Sequence, residues 1–217
     1  MHPRRQYTRV WLARHGEVAD SWGRRIYGSL DVPLSARGRE EARKVATRLA
    51  GERLAVVVSS GLERAEFGAQ LLREGRGLGR IDDAGLREID RGCWAGLQVD
   101  EVERLYPGAW AGWHESPADS RPDGGESLDD LARRVLPRMQ MWAADYRGEH
   151  IAIVAHGWVI RVVVCAALGL DLNSAPRLDI RTGDLAAIDW PADWSTAVAP
   201  QLSGFAVDRL PSPRTEG

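Results

Sequence analysis

A chain of 217 residues, 44% hydrophobic and 28% charged, has the size and composition of one soluble domain with a full core. A formal net charge of −2 removes the electrostatic drive that a general nucleic-acid or membrane-surface binder needs, so any basic site must be local. Cys93 and Cys165 stand far apart in no ligand spacing, which excludes a disulfide framework and a cysteine-rich zinc site and predicts a reduced, cytoplasmic setting.

Met1 to Arg5 lead straight into a strand-like stretch, so neither a signal peptide nor a membrane span is expected. Thr8 to Ala13 reads as a first strand, Leu54 to Ser59 as a second and His150 to Ala155 as a third. Their short apolar, β-branched runs suit strands of a parallel sheet buried on both faces. Between the first two, Ser35 is placed to cap a helix with Ala42, Val45, Ala46 and Leu49 on its apolar stripe. Leu62 to Arg73 continues as a helix up to the glycine-rich turn at 75–79. Residues 92–126, rich in Gly, Pro, Trp and acidic groups, read as an irregular insertion with one or two short helices, a candidate lid. Ser127 caps a long helix in which Pro137 predicts a kink. Trp158 to Leu168 is apolar nearly all round and reads as a buried helix. Residues 184–190 and 202–208 are expected as edge strands, and the polar tail from Pro211 as disordered. Strands alternating with helices indicate an α/β domain, here taken as one unit over 1–210.

Three segments repeat one arrangement of strand, polar residues and helix: Arg14-His15-Gly16-Glu17, Ser59-Ser60-Gly61 with Arg64, and His156-Gly157. Open parallel sheets bind ligands beyond the carboxyl ends of their strands, so neighbouring strands would bring two histidines and two arginines into one crevice. Guanidinium groups clamp a phosphoryl group, and a neutral imidazole between them is a competent nucleophile. Lys44 is the only lysine, so nearly all positive charge is arginine, whose fork suits phosphate. No Asp/Glu/His cluster has metal-ligand spacing, and neither a metal nor a cofactor is expected.

These segments resemble the histidine phosphatase superfamily, the group that includes the cofactor-dependent phosphoglycerate mutases. The similarity runs in order through Arg14-His15-Gly16-Glu17, Asp31 to Gly38, Ser59 to Ala65, Leu86-Arg87-Glu88 with Gly92 to Gly96, Pro122 to Ser127, and Val154 to Gly157. It implies a three-layer α/β sandwich with a mostly parallel central sheet of the phosphoglycerate mutase-like kind. It also implies roles: His15 as nucleophile forming a phosphohistidine, Arg14 and Arg64 holding phosphate oxygens, and His156 stabilising the group in flight. Glu88 would protonate the leaving oxygen and then activate water, with Asp90 close enough in sequence to share the task. Ser21, Arg25, Tyr27 and Gly28 are expected on the substrate side, with Gly157 beside the phosphate. Among the nine tryptophans, Trp110, Trp113 and Trp158 are candidates to meet a substrate ring.

Four positions depart from the family pattern: Ala95 replaces a second Glu, Ser21 replaces an Asn, and Glu66-Phe67 replaces a Gln-Thr pair. A mutase would need extra cations to retain a doubly charged ester, yet Ile89 follows Glu88 and the insertion is short and acidic. The expectation is therefore a metal-independent phosphatase for a small phosphate ester, of which the α-ribazole-phosphate type is the nearest guess. A non-catalytic phospho-ligand binder is the rival from another class, and a homodimer is left open.

Overall fold

The computed structural model describes residues 7–193 and 199–206. Strands β1 (Tyr7–Arg14), β2 (Leu54–Ser59), β3 (Ile81–Asp82), β4 (His150–Ala155), β5 (Leu185–Pro191) and β6 (Gln201–Ala206) form one sheet in the order β3-β2-β4-β1-β5-β6. The first four of these positions are parallel, and β5 runs antiparallel to both of its neighbours, β1 and β6. The sheet is thus mixed but mostly parallel, as expected. β5 is a correction, because it lies between β1 and β6 and is not an edge strand. Its nearly continuous burial gives the reason: both faces are covered, which an edge strand does not require. The expected tail from Pro211, and residues 207–208 of the last expected strand, lie outside the described residues.

Helices α1 (Ala36–Arg48) and α2 (Glu63–Arg73) cover one face, where Val45, Leu49, Ala65, Ala69 and Leu72 pack on Ala13, Val57 and Val154. Helices α5 (Leu128–Asp145) and α6 (Gly157–Leu168) cover the other, with Leu131, Val135, Met139, Val159 and Val163 in a larger core against Val10, Leu12, Ile151 and Ile153. Alternation along the strands divides their side chains between the two cores. The caps are those read from sequence: Ser35 Oγ accepts from Gly38 N at 3.0 Å, and Ser127 and Asp130 form a reciprocal capping box. α5 remains helical through Pro137. Residues 92–126 contain two short helices, α3 (Val99–Leu105) and α4 (Ala109–Glu115).

The register places the site. Arg14 pairs with Ala155 and Ser59 with Val154, so β1, β4 and β2 end level with one another. The residues that follow, His15, His156 and Ser60, therefore emerge along one edge of the sheet.

Candidate active site

His15 is positioned by main chain. Its N–H donates to Ala155 O at 3.0 Å, and its Nδ1 lies 2.7 Å from Gly16 O, a contact that puts the proton on Nδ1. Nε2 is then a lone-pair nitrogen, buried and without a hydrogen-bond partner. Gly16 is required by close approach. A Cβ there would lie 2.0 Å from Gly38 O, and one on Gly38 would lie 2.0 Å from Glu17 O, so the loop after His15 and the first turn of α1 touch backbone to backbone. Glu17 locks the pair, its N–H donating to Glu41 and its carboxylate accepting from Ser35 Oγ, each at 2.9 Å.

The His156 ring stands 5.1 Å from that of His15, centroid to centroid. Its Nε2 is 2.7 Å from Ser60 Oγ, which also accepts from Leu62 N at 3.3 Å. Ser60 thus anchors the His156 ring through Nε2, while Nδ1 is buried without a hydrogen-bond partner.

Arg64, fully buried, donates to Leu30 O at 2.6 Å and to Gly28 O at 2.7 Å, while Arg14 donates to Ile180 O at 2.6 Å. The Nε atoms of both arginines are buried without partners. Buried guanidinium N–H groups left without partners are costly unless an anion completes them. Burial, followed by the charges of Arg64 and Arg14, holds the His15 imidazole well below the usual range. Burial, Arg64, His15 and Arg14 do the same to His156. Both rings are neutral near pH 7.

A stability consequence follows. The unfolded chain titrates its histidines near 6.5, and both folded values are depressed. Below about pH 6.5 the unfolded state binds more protons, so the stabilisation is complete above that pH and is lost as pH falls toward the folded values. Denaturant melts should show stability dropping between about pH 6.5 and 5, before most carboxylates titrate. A His15→Gln/His156→Gln variant should flatten that interval; an unchanged slope would contradict neutral burial.

Above these groups opens a cleft of about 280 Å³ whose wall includes Arg14, Tyr27, Glu88, Arg91, Trp158 and Arg161. Glu88 accepts from Ile89 N at 3.0 Å and from Trp158 N at 3.2 Å, which orients its carboxylate. Asp90 does not share this position, since its carboxylate accepts from Gly92 N in a local turn. Arg25, Tyr27, Gly28 and Gly157 all border the cleft. Gly28 has φ +46°, and its carbonyl accepts from Arg64, so the loop that borders the cleft is tied to that guanidinium. Ser21 does not join them: it sits in the exposed 3-10 turn Asp20–Trp22, off the cleft wall. Trp110 and Trp158 line the cleft, whereas Trp113 is buried behind it. Glu66 and Phe67 now have an explanation, because Glu66 pairs with Arg73 and Phe67 lies under Arg39 at 4.9 Å.

Sequence reading missed Ser60 as a partner of His156 and Arg91 and Arg161 as cleft residues. Ser60 stands in a motif segment, but its partner is 96 positions away. Arg91 follows Glu88 by three residues, which was the one available signal. Among the described residues no group of three or more His, Cys, Asp or Glu could hold a metal ion, and no helix is long and apolar enough to cross a membrane.

The family model described as the histidine phosphatase superfamily, branch 1, matches residues 10–200. Phosphoserine phosphatase 1 of Hydrogenobacter thermophilus is 35% identical over 166 residues, covering 76% of this chain and 79% of that protein. Phosphoglycerate mutase-like protein 4 of Arabidopsis thaliana is 38% identical over 158 residues, covering 71% and 69% respectively. Among solved structures, the α-ribazole phosphatase from Shigella flexneri aligns with a TM-score of 0.78 and 26% identity, over 91% of this chain and 95% of that chain.

Proposed function

The chain belongs to the histidine phosphatase superfamily and is a phosphoric monoester hydrolase, and we propose that it works through a phosphohistidine formed on His15. The observation that carries this reading is the buried, partnerless Nε2 of His15 beside three other partnerless nitrogens, those of His156, Arg14 and Arg64. In the first step the Nε2 lone pair attacks phosphorus, the P–O ester bond breaks, and Glu88 gives its proton to the departing alkoxide. Arg14, Arg64 and the Nδ1–H of His156 bind the three non-bridging oxygens as charge spreads over them. In the second step Glu88 takes a proton from water, whose oxygen attacks phosphorus. The P–N bond breaks, returning neutral His15, protonated Glu88 and free phosphate.

Phosphatase is favoured over mutase by the relatives named phosphoserine phosphatase and α-ribazole phosphatase, while residues 92–126 contribute Val99 and Trp110 to the cleft wall. They act in this reading as a partial lid. The extra cations that a mutase would need are nevertheless present from outside the insertion, which corrects the sequence argument on that point. The substrate is a small phosphate ester, and α-ribazole phosphate and phosphoserine belong in the first panel because relatives are named for them. A cytoplasmic setting is supported by Cys93 and Cys165, both free thiols.

The direct test is to mix enzyme and ester in chelator, quench in alkali, and weigh the peptide containing His15. One phosphoryl group on that peptide, absent after acid treatment, is expected. Steady release of phosphate with no such adduct at any mixing time would remove the covalent mechanism.

A further inference from the structure

Four of the five groups given a part in the reaction stand at the ends of regular elements: Arg14 and His15 at the end of β1, Arg64 in the first turn of α2, and His156 directly after β4. Glu88 is the exception, because residues 87–91 belong to no helix or strand. Main-chain carbonyls in such a stretch have no ladder to bond them and must find partners elsewhere. Arg134, on α5, supplies those partners. Its Nη1 donates to Gly85 O at 2.9 Å and to Arg87 O at 2.8 Å, and its Nη2 donates to Glu88 O at 3.1 Å. Nε and the other Nη2 hydrogen go to the two oxygens of Glu126, each at 2.8 Å. Glu126 in turn accepts from Asp90 N and donates its own N–H to Asp90 O, each at 2.9 Å. Every N–H of the guanidinium is thus engaged in holding one loop.

We propose that Arg134 is a positioning residue for the proton transfers: seated on Glu126, it fixes the main chain from which Glu88 reaches the leaving oxygen. Arg134 is not on the cleft wall, so it acts through Glu88 and not on the ester. The N–H groups of Ile89 and Trp158 set the direction of the carboxylate, and Arg134 sets where the loop that carries it stands. Its neighbours Leu131 and Val135 pack in the core against Val10, Leu12, Ile151 and Ile153, so the loop is referred to the same strands that end at the two imidazoles. This inference rests on the part given to Glu88 and adds the residue that holds it in register with His15.

The probes are benzyl phosphate, whose alkoxide leaves poorly without a proton, and p-nitrophenyl phosphate, a ring of similar size whose phenolate leaves unaided. For both, kcat/KM reports the steps up to departure of the leaving group. Arg134→Met should lower it about 10- to 100-fold for benzyl phosphate, the scale of a misplacement near 1 Å, and less than about 3-fold for p-nitrophenyl phosphate. General damage to the fold would lower both alike. The variant is also combined with Glu88→Gln: if Arg134 works through Glu88, the double variant should turn over benzyl phosphate within about 3-fold of Glu88→Gln alone. Because Arg134 is partly buried, Arg134→Lys is taken through the same cycle. Its ammonium keeps the charge beside Glu126 but cannot span the carboxylate and three carbonyls, so it should show a smaller loss, about 3- to 30-fold, with the same lack of additivity. Losses that multiply in the double variants, equal losses for the two esters, or full benzyl phosphate activity in a folded Arg134→Met would each overturn the proposal. An undiminished Glu88→Gln would instead unseat Glu88 as the acid, and the part given to Arg134 with it.

Discussion

His15→Ala should lower turnover of every phosphate ester by at least about 10³-fold, the loss typical of removing a nucleophile that acts within a set. The side chain is buried and its only hydrogen bond goes to the neighbouring Gly16 carbonyl, so the variant should keep the fold. Unfolding midpoint and phosphate release should be measured on the same preparation. Water could enter the space left by the imidazole, but it would have no base comparable to Nε2 at that point, and Arg14, Arg64 and His156 would still bind phosphate. The expected result is therefore a folded protein that binds esters, makes no covalent adduct and scarcely turns over. Turnover close to wild type would show that His15 is not the nucleophile.

Glu88→Gln should have an effect that depends on the ester. Gln keeps the size and can still accept the N–H of Ile89 or Trp158, yet it has no proton to give and no basic oxygen for water. Alkyl esters, whose oxygen leaves poorly without protonation, should slow by about 10²–10⁴-fold, the usual range for a positioned acid or base. p-Nitrophenyl phosphate releases a stable phenolate unaided, so its first step should survive while hydrolysis of the phosphohistidine stalls. Stopped-flow absorbance should then show a burst close to one nitrophenolate per site before a slow phase. Equal losses for both esters with no burst would take Glu88 out of both proton transfers.

Much of the frame is legible without coordinates. The strands β1, β2 and β4 are visible as short β-branched runs, and Ser35 and Ser127 mark their helix starts, because these signals are local. The three segments that follow the parallel strands meet for a topological reason that the strand pattern already contains. What fails is non-local or conformational. Leu185–Pro191 is apolar enough for an interior strand, but its neighbours depend on β6, which the sequence marks weakly. Ser21 looks suited to phosphate by type and spacing, yet a single 3-10 turn sends it to solvent. Arg91 is fixed beside the cleft by two indoles, Trp113 and Trp158, the second 67 positions later, a contact no local pattern shows.

The contact between Gly16 and Gly38 also bears on how this catalyst tolerates change. A ring whose place is set by peptide groups pressed together is insulated from most alterations around it, since few side chains hold it there. The same arrangement concentrates vulnerability. One methyl group added at either glycine would wedge the two segments apart and carry His15 with them, so drift in this region should spare surrounding residues while leaving those two positions fixed.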